Sequence, residues 1–505
     1  MCGPGSDTFV KSLWNERDAA GFPGELGQRV YASRLLGSDP SLVLHGGGNT
    51  SVKSAGGEIL YVKASGADLA EVGEASFAAL RLAPVRALLE EPGLDNREMM
   101  RRLDHCLIDR NSSRPSIETL LHGALPFPCV DHSHADAILA VVNTRSGGSI
   151  APAVFGELAP LVPYRHSGVE LARACLDAFR ARGTGRTIGL ILQFHGVVSF
   201  GAHARESYEH MMRLVTLAED YLRARNAWEI PRLPGLPPAS HPIALAKLRR
   251  EVSRIAGKPL IARVLRDPVS VAFARRGDLP EISQQGPGTP QHAVFCRRVP
   301  LLDHDPAGFA ARYREYLQRH LGDAWPAIID PAPRTVLDPD LGLVAFGVSA
   351  RHAAMAAELY RHDIEIISRA SAHDRYLSAP AAEMAKAELE YAGFEARARS
   401  DPATPLLGQV MAVTPGAASA DAGLAQRLLA QGAAVVAPLP APDSPGFPAL
   451  QGYGDADPGA AARGAILAFG GVDVLFARNA ESAWRRAFEP LLEHSTVDCR
   501  VEAVA

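Results

Sequence analysis

Two histidines one residue apart, His132 and His134, stand in Val130-Asp131-His132-Ser133-His134-Ala135-Asp136. The run after them, Ala137-Ile-Leu-Ala-Val-Val142, is apolar and β-branched. Read as a continuing strand, it places side chains at i and i+2 on one face, so both imidazoles converge on one point. His195 lies in Gly189-Leu-Ile-Leu-Gln-Phe-His195-Gly196-Val-Val, a second strand-like run ended by glycine. Three neutral imidazoles with an open fourth position describe a catalytic divalent-metal site, zinc most naturally. Taken alone, the first pair also describes two unrelated surface histidines.

The surroundings add to this. Fourteen residues before His132 is Glu118, in Pro115-Ser116-Ile-Glu118-Thr-Leu-Leu-His122. Proline followed by Ser-x-Glu can open a helix with Ser116 near its N-terminus. That end presents free N–H groups and favours anions. A carboxylate there can serve as a general base beside a metal. Upstream, Leu42-Val-Leu-His45-Gly-Gly-Gly-Asn49-Thr-Ser51-Val-Lys53 sets a glycine run between two strand-like segments. Such a run lets the backbone approach a ligand closely. Tyr61-Val-Lys63-Ala64-Ser65-Gly66-Ala67 is a strand running into a second small-residue turn. Either turn, by itself, also describes an ordinary hairpin.

In this order, the segments His45-Gly-Gly-Gly-Asn49-Thr-Ser51, Lys63-Ala-Ser65-Gly66, Pro115-Ser116-Ile-Glu118, Asp131-His132-Ser-His134 and His195-Gly196 resemble the class II aldolase/adducin family over roughly residues 10–235. The resemblance implies a three-layer α/β/α domain. It implies zinc, or another divalent metal, held by His132, His134 and His195. It implies Glu118 as the acid/base residue, able to touch the metal when no substrate is bound. Asn49, Ser65, Gly66 and Ser116 then correspond to the cradle for a substrate phosphate. Ala64 stands where close relatives often have glycine, and its backbone N–H remains.

The implied reaction cleaves a ketose 1-phosphate to dihydroxyacetone phosphate and an aldehyde. In such enzymes zinc acts as a Lewis acid on the carbonyl and stabilises the enediolate, while a base removes the proton that starts carbon–carbon cleavage. A carboxylate suits that task because burial and nearby charge retune it. A 4-epimerase or a metal-dependent dehydratase of the same family would use the same histidines. A non-catalytic, adducin-like assembly protein is a further reading, opposed by the intact His132, His134, His195 and Glu118. Family members are commonly cyclic tetramers, which implies a homo-oligomer.

At 505 residues the chain is too long for one ordinary domain. Hydrophobic residues make up 47% and charged residues 21%, as in soluble globular proteins. A net charge of −4 gives no general push towards nucleic acid or an anionic membrane. No run approaches the ~18 apolar residues of a spanning helix. The N-terminal Met-Cys-Gly-Pro-Gly-Ser-Asp lacks the basic and apolar regions of a signal peptide. Six cysteines, at 2, 106, 129, 175, 296 and 499, form no C-x-x-C, so a reduced, cytoplasmic protein is expected. Cys106 and Cys129 read as buried small apolar residues rather than ligands.

Three α/β segments are expected: an aldolase-like domain over 1–235, a middle block over 243–400 and a Rossmann-like tail over 401–505. A proline-rich stretch over 230–242 forms a stiff connector. Before it, residues 205–225 have the spacing of a long amphipathic helix, with Tyr208, Met211, Met212, Leu214, Val215, Leu217 and Leu222 apolar. In the middle block, 306–319 and 350–370 read as helices, and 293–295 and 334–337 as strands. Residues 283–292 read as a loop, either a turn-rich connection or a segment with ligand-facing polar groups. Gly286-Pro-Gly-Thr289-Pro-Gln-His292, Leu341-Gly-Leu-Val-Ala-Phe-Gly347 and Ala357-Glu-Leu-Tyr-Arg-His-Asp-Ile-Glu365 resemble bacterial bifunctional rhamnulose-1-phosphate aldolase/short-chain alcohol dehydrogenases. In these an aldolase module and a linking block precede a Rossmann dehydrogenase. His292 and Thr289 are candidates to approach the aldolase site.

In the tail, 409–414 reads as a strand, 423–431 as a helix and 432–436 as the next strand, a βαβ start. Phe469-Gly-Gly-Val-Asp-Val-Leu475 resembles the fourth strand of short-chain dehydrogenases. The cofactor elements have decayed. The three glycines of that family's first turn fall on Pro415, Ser419 and Asp421. The last puts a carboxylate where a pyrophosphate would lie. Strand two ends in Ala437-Pro438, with no acidic residue for a ribose. The Asn-Asn-Ala-Gly stretch is replaced by Ala477-Arg-Asn-Ala480, and no Tyr or Lys follows. The expectation is a truncated Rossmann remnant with no functional NAD site, buried against the middle block or a neighbouring subunit. A working NAD-dependent dehydrogenase is the reading these losses oppose.

Overall fold

The computed structural model describes residues 10–234, 242–325, 329–392, 401–438, 449–453, 457–478, 481–497 and 500–503. Most of the proline-rich connector lies outside them. The chain divides into two compact units, one of Cys2–Ile230 with Glu365–Ala379, the other of Pro231–Ile364 with Pro380–Ala505.

The first unit carries strands β1 (Asn49–Lys53), β2 (Ile59–Lys63), β3 (Phe77–Arg81), β4 (Cys129–Ser133), β5 (Leu161–Val162), β6 (Gly189–Leu192) and β7 (Gly196–Gly201). They form one sheet in the order β3-β2-β1-β4-β7-β6-β5, antiparallel except for β5 with β6. Successive side chains of a strand leave opposite faces. Cys129, Ile191 and Val197 accordingly join one core with the helix Ala204–Ala224. Val130, Leu190 and Val198 join another with the helices Asn96–Cys106 and Val169–Arg182. Helices cover both faces, which makes the layering α/β/α. The helix Ala204–Ala224 buries the patterned residues, with Leu217 only half-buried.

Glu365–Ala379 completes this unit. Arg369 Nε donates to the Trp228 carbonyl at 3.1 Å, and its guanidinium lies 4.2 Å from the Trp228 ring centre. Leu377 N donates to the Asn143 carbonyl at 2.9 Å.

Several local expectations are corrected. Residues 137–142 are not strand: Asp136–Val142 is a helix with every residue buried. A short helix without a polar face carries no helical period to read. Residues 293–295 belong to the helix Pro290–Cys296, started by proline and by the Thr289 hydroxyl, which accepts from Gln291 N at 3.0 Å. Leu42–Leu44 is not strand, and β1 begins only at Asn49. The helix after Ser116 begins only at Thr119, with Glu118 in the cap position. Phe469 closes the helix Pro458–Phe469, and Gly470, at φ 81°, stops it in the left-handed conformation.

The second unit holds β8 (Ile261–Leu265), β9 (Thr335–Asp338) and β10 (Gly342–Gly347), an antiparallel sheet with β10 central. It also holds β11 (Val410–Val413), β12 (Ala434–Ala437), β13 (Leu450–Gly452), β14 (Val474–Ala477) and β15 (Arg500–Ala503). These are all parallel, in the order β13-β12-β11-β14-β15 of a doubly wound fold. The tail and middle block share one hydrophobic core, with Phe309 and Phe346 packed in the same cluster as Val436, Ile466 and Phe488. Inside it, buried Arg249 pairs with buried Asp473 at 2.5 Å. Asp473 also accepts from Val410 N and Thr496 N.

Candidate metal centre

His132 is on β4, His134 lies one residue past its end, and His195 stands in the turn between β6 and β7. That turn is tight. Phe194 has φ 57°, a costly value for an aromatic residue. At Gly196, φ 154°, an added Cβ would sit 2.2 Å from the Ser133 carbonyl oxygen. Glycine therefore lets the turn press against the end of β4, which delivers His195 to His132. The three rings have centres 4.8–5.2 Å apart, and their ligating nitrogens all lie within 4.8 Å of one another.

The tautomer of His132 follows from its partner. Its Nδ1 is 3.0 Å from the Val197 carbonyl, which only accepts, so Nδ1 carries the proton. Nε2 is left with its lone pair, 3.1 Å from His134 Nε2. Burial lowers the His132 pKa and outweighs the pull of Glu118, which favours the neutral imidazole. A carbonyl behind a neutral ring is a common support for a metal-ligating histidine. The donor set fits a divalent cation.

Glu118 faces this cluster. It is 4% exposed, with Oε1 3.2 Å from His195 Nε2 and Oε2 3.4 Å from His132 Nε2. Asn49 Nδ2 donates to Oε2 at 2.7 Å, and Ser167 Oγ donates to Oε1 at 3.3 Å. Burial pushes its pKa up; the neighbouring His132 and His195 and the hydrogen bonds from His195 and Asn49 outweigh this and hold it well below the usual range.

Of the other expected residues, Asn49 and Ser116 gather around Glu118. Asn49 Nδ2 also reaches Ser116 Oγ at 3.3 Å, and Ser116 Oγ accepts from Glu118 N at 3.2 Å. Ser65 N donates to the Arg114 carbonyl at 2.9 Å, which ties the exposed Ser65-Gly66 turn to the stretch leading to Ser116. The glycine loop lies beside that turn: a Cβ on Gly46 would be 3.2 Å from Gly66 O. Lys63 joins the two, donating to Gly46 O at 3.0 Å and to Ala67 O at 2.6 Å. Burial brings its pKa down to about 8.

Sequence reasoning passed over His122, Ser51, Ser167 and this use of Lys63. His122 Nδ1 is 2.7 Å from Ser51 Oγ, and its Nε2 meets Asn49 Oδ1. The available signal was spacing: Glu118 and His122 are one helical turn apart, and Asn49 and Ser51 share a strand face. Thr289 and His292 belong to the second unit, where His292 Nδ1 lies 2.7 Å from Asp363 Oδ1. In the tail, Asp421 pairs with Arg427. The start of the helix Pro415–Ala420 is taken by Glu481, which accepts from Gly416 N at 2.9 Å, from Arg478 N at 2.8 Å and from the Thr414 hydroxyl.

An α/β/α sheet domain with three histidines and a carboxylate in one cluster, buried but for the half-buried His134, defines a class II aldolase type of chain. The family described as Class II Aldolase and Adducin N-terminal domain matches residues 28–222, and Aldolase class II, second domain, matches 239–397. The chain belongs to the class II aldolase/adducin family. The N-terminal class II aldolase domain of a conserved protein from Thermoplasma acidophilum is 33% identical, covering 42% of this chain and 100% of that one, with a TM-score of 0.39. An L-fuculose-1-phosphate aldolase from Thermus thermophilus is 20% identical, covering 39% and 95%, with a TM-score of 0.27. A protein of Bacillus subtilis (strain 168), "Uncharacterized oxidoreductase YuxG", is 29% identical over 459 residues. The match covers 85% of this chain and 66% of that protein, so the chain spans just under two thirds of that relative's length. Among the described residues, no helix is long and apolar enough to cross a membrane.

Proposed function

We propose that the protein is a metal-dependent sugar-phosphate aldolase that cleaves a ketose 1-phosphate to dihydroxyacetone phosphate and an aldehyde. The observation that carries this reading is the convergence of His132, His134 and His195 with Glu118, whose oxygens lie 3.2 and 3.4 Å from two of the rings. The three histidines would hold zinc or another divalent cation. Such a cation, when bound, supplies Lewis-acid polarisation of the carbonyl and charge stabilisation of an enediolate. Glu118, in its carboxylate form, accepts the proton whose departure starts cleavage and returns a proton to carbon afterwards. Asn49 and Ser167 hold that carboxylate from both oxygens. Ser65, Gly66, Ser116 and Asn49 form the phosphate cradle. Open space beside Gly66, where a Cβ would meet nothing within 4 Å, leaves room for the group.

We read the tail as a fold without an NAD site. Glu481 takes the Gly416 N–H at the first turn, where a pyrophosphate would otherwise sit. A homo-oligomer acting on a small sugar phosphate completes the proposal.

The test is a screen of ketose 1-phosphates with zinc-loaded protein, reading release of dihydroxyacetone phosphate. Release that a chelator abolishes and zinc restores is expected. Metal-loaded protein that cleaves none of them would overturn the reading.

A further inference from the structure

We propose that His122 is a positioning residue, which fixes the amide of Asn49 and through it the carboxylate of Glu118. This rests on the reading of Glu118 as the proton-transfer group. Two spacings meet here. Glu118 and His122 are one turn apart at the start of the helix Thr119–Ala124, and Asn49 and Ser51 are i and i+2 on β1. The result is a chain of four side chains: Ser51, His122, Asn49, Glu118.

Its direction is determined at one end. The Glu118 carboxylate only accepts, so Asn49 turns Nδ2 towards it, at 2.7 Å. Asn49 Oδ1 then faces His122 Nε2 and must receive a proton from it. His122 is fully buried, and burial drives its pKa down to about 3, so the ring is neutral and carries a single proton. That proton is on Nε2, and the bare Nδ1 accepts from Ser51 Oγ at 2.7 Å. Every donor in the chain points towards the carboxylate. An amide has a second orientation, rotated by half a turn. In Asn49 that orientation would set Oδ1 against the Glu118 carboxylate and Nδ2 against the His122 N–H. His122 thus selects the one orientation that presents a donor to Glu118. Buried, fully satisfied networks of this kind fix geometry.

The test is a double-mutant cycle on cleavage by the full chain, with metal content and unfolding temperature measured for each variant. His122→Phe keeps a ring and removes the donor; His122→Gln restores a donor on Nε2. His122→Phe should lower kcat by ~10- to 100-fold, with KM within about 3-fold and metal content unchanged. His122→Gln should recover most of the loss. In an Asn49→Ala background, His122→Phe should cost less than about 2-fold, because its partner is already gone. Losses that multiply in the double variant, or a His122→Gln no better than His122→Phe, would overturn the proposal. Should His122→Phe fail to fold, Ser51→Ala replaces it in the same cycle and should give a smaller kcat loss that also vanishes with Asn49→Ala.

A second readout is independent of turnover. Nitrogen NMR of the 15N-histidine-labelled wild type at pH 7 should show His122, identified by its missing signals in His122→Gln, as a neutral ring protonated on Nε2. A ring protonated on Nδ1 overturns the relay even if cleavage is found. A wild type without cleavage but with the Nε2 tautomer overturns the functional reading and keeps the relay.

Discussion

Glu118 and Glu481 are both carboxylates at the cap position of a helix, and they are used in opposite ways. Glu481 is satisfied by backbone: Gly416 N and Arg478 N donate to it, with the Thr414 hydroxyl completing the set. Burial pushes its pKa up, and the donors from Thr414, Arg478 and Gly416 bring it down. Neither makes a cap bond to its own helix. The partners of Glu118 are side chains, and two of them are imidazoles in reach of the same point. A carboxylate satisfied by fixed backbone N–H groups has nothing left to exchange. One surrounded by imidazole and amide side chains can pass a proton. The same helix-start feature fills the turn after β11 in one unit and lines the histidine cluster in the other.

The comparison breaks first at the histidines. His132→Ala combined with His134→Ala should reduce bound divalent metal from about one equivalent per chain to background by elemental analysis. Wild-type protein that stays metal-free after zinc loading would remove the basis for the site. Glu118→Gln should keep the metal and lose ~10²–10⁴ in kcat, the usual worth of a placed acid/base group.

In the second unit the largest effect should come from its buried ion pair. Asp473→Ala leaves Arg249 charged and unpaired in the shared core, and should cost ~3–5 kcal/mol in urea unfolding. An unchanged midpoint would mean that the tail is not held by that pair. Glu388 gives a pH signature. Burial raises its pKa to about 7 against Arg297 and the Tyr313 and Tyr316 hydroxyls. Between pH ~4.5 and ~7 the folded state then holds a proton that the unfolded state has lost, so stability falls as pH rises through that window, by up to about 3 kcal/mol. Glu388→Gln should flatten this part of the stability–pH curve. A curve of unchanged slope would show that Glu388 titrates normally.

The smallest effect is assigned to Glu481→Ala: a loss of about 1 kcal/mol, as for a removed cap, and no gain of NAD binding by calorimetry. Saturable micromolar binding of NAD or NADP to the wild type, at about −8 kcal/mol, would show that the tail is a divergent but working cofactor domain.

The grouping of His132, His134, His195 and Glu118 was legible because its evidence is chemical and local. An H-x-H pair, a His-Gly end and a Pro-Ser-x-Glu turn identify themselves by residue type. The α/β layering and the parallel start of the tail were legible for a similar reason, since alternation and Gly-bounded apolar runs are short-range patterns. What failed was the state of short apolar runs. Residues 137–142 and 293–295 are helical, and neither has the polar face that would show its period. The expected convergence of His132 and His134 on one strand face gave the right grouping for a partly wrong reason, since His134 lies beyond the end of β4. The His122 relay needed knowledge that β1 faces the helix start at Thr119, a pairing across some 70 residues. The segment Glu365–Ala379, far from the first unit in sequence, was invisible for the same reason.

The proton, rather than the aldehyde, reports most directly on Glu118 and the three histidines. Zinc-loaded wild type and Glu118→Gln, at equal metal content, are incubated with dihydroxyacetone phosphate in deuterium oxide, and exchange of its carbon-bound hydrogen is followed by NMR. The wild type should exchange one hydrogen stereospecifically, and Glu118→Gln should do so at least ~10²-fold more slowly. Equal rates in the two proteins, or no exchange by metal-loaded wild type, would contradict the assignment of Glu118 and the three histidines to this chemistry.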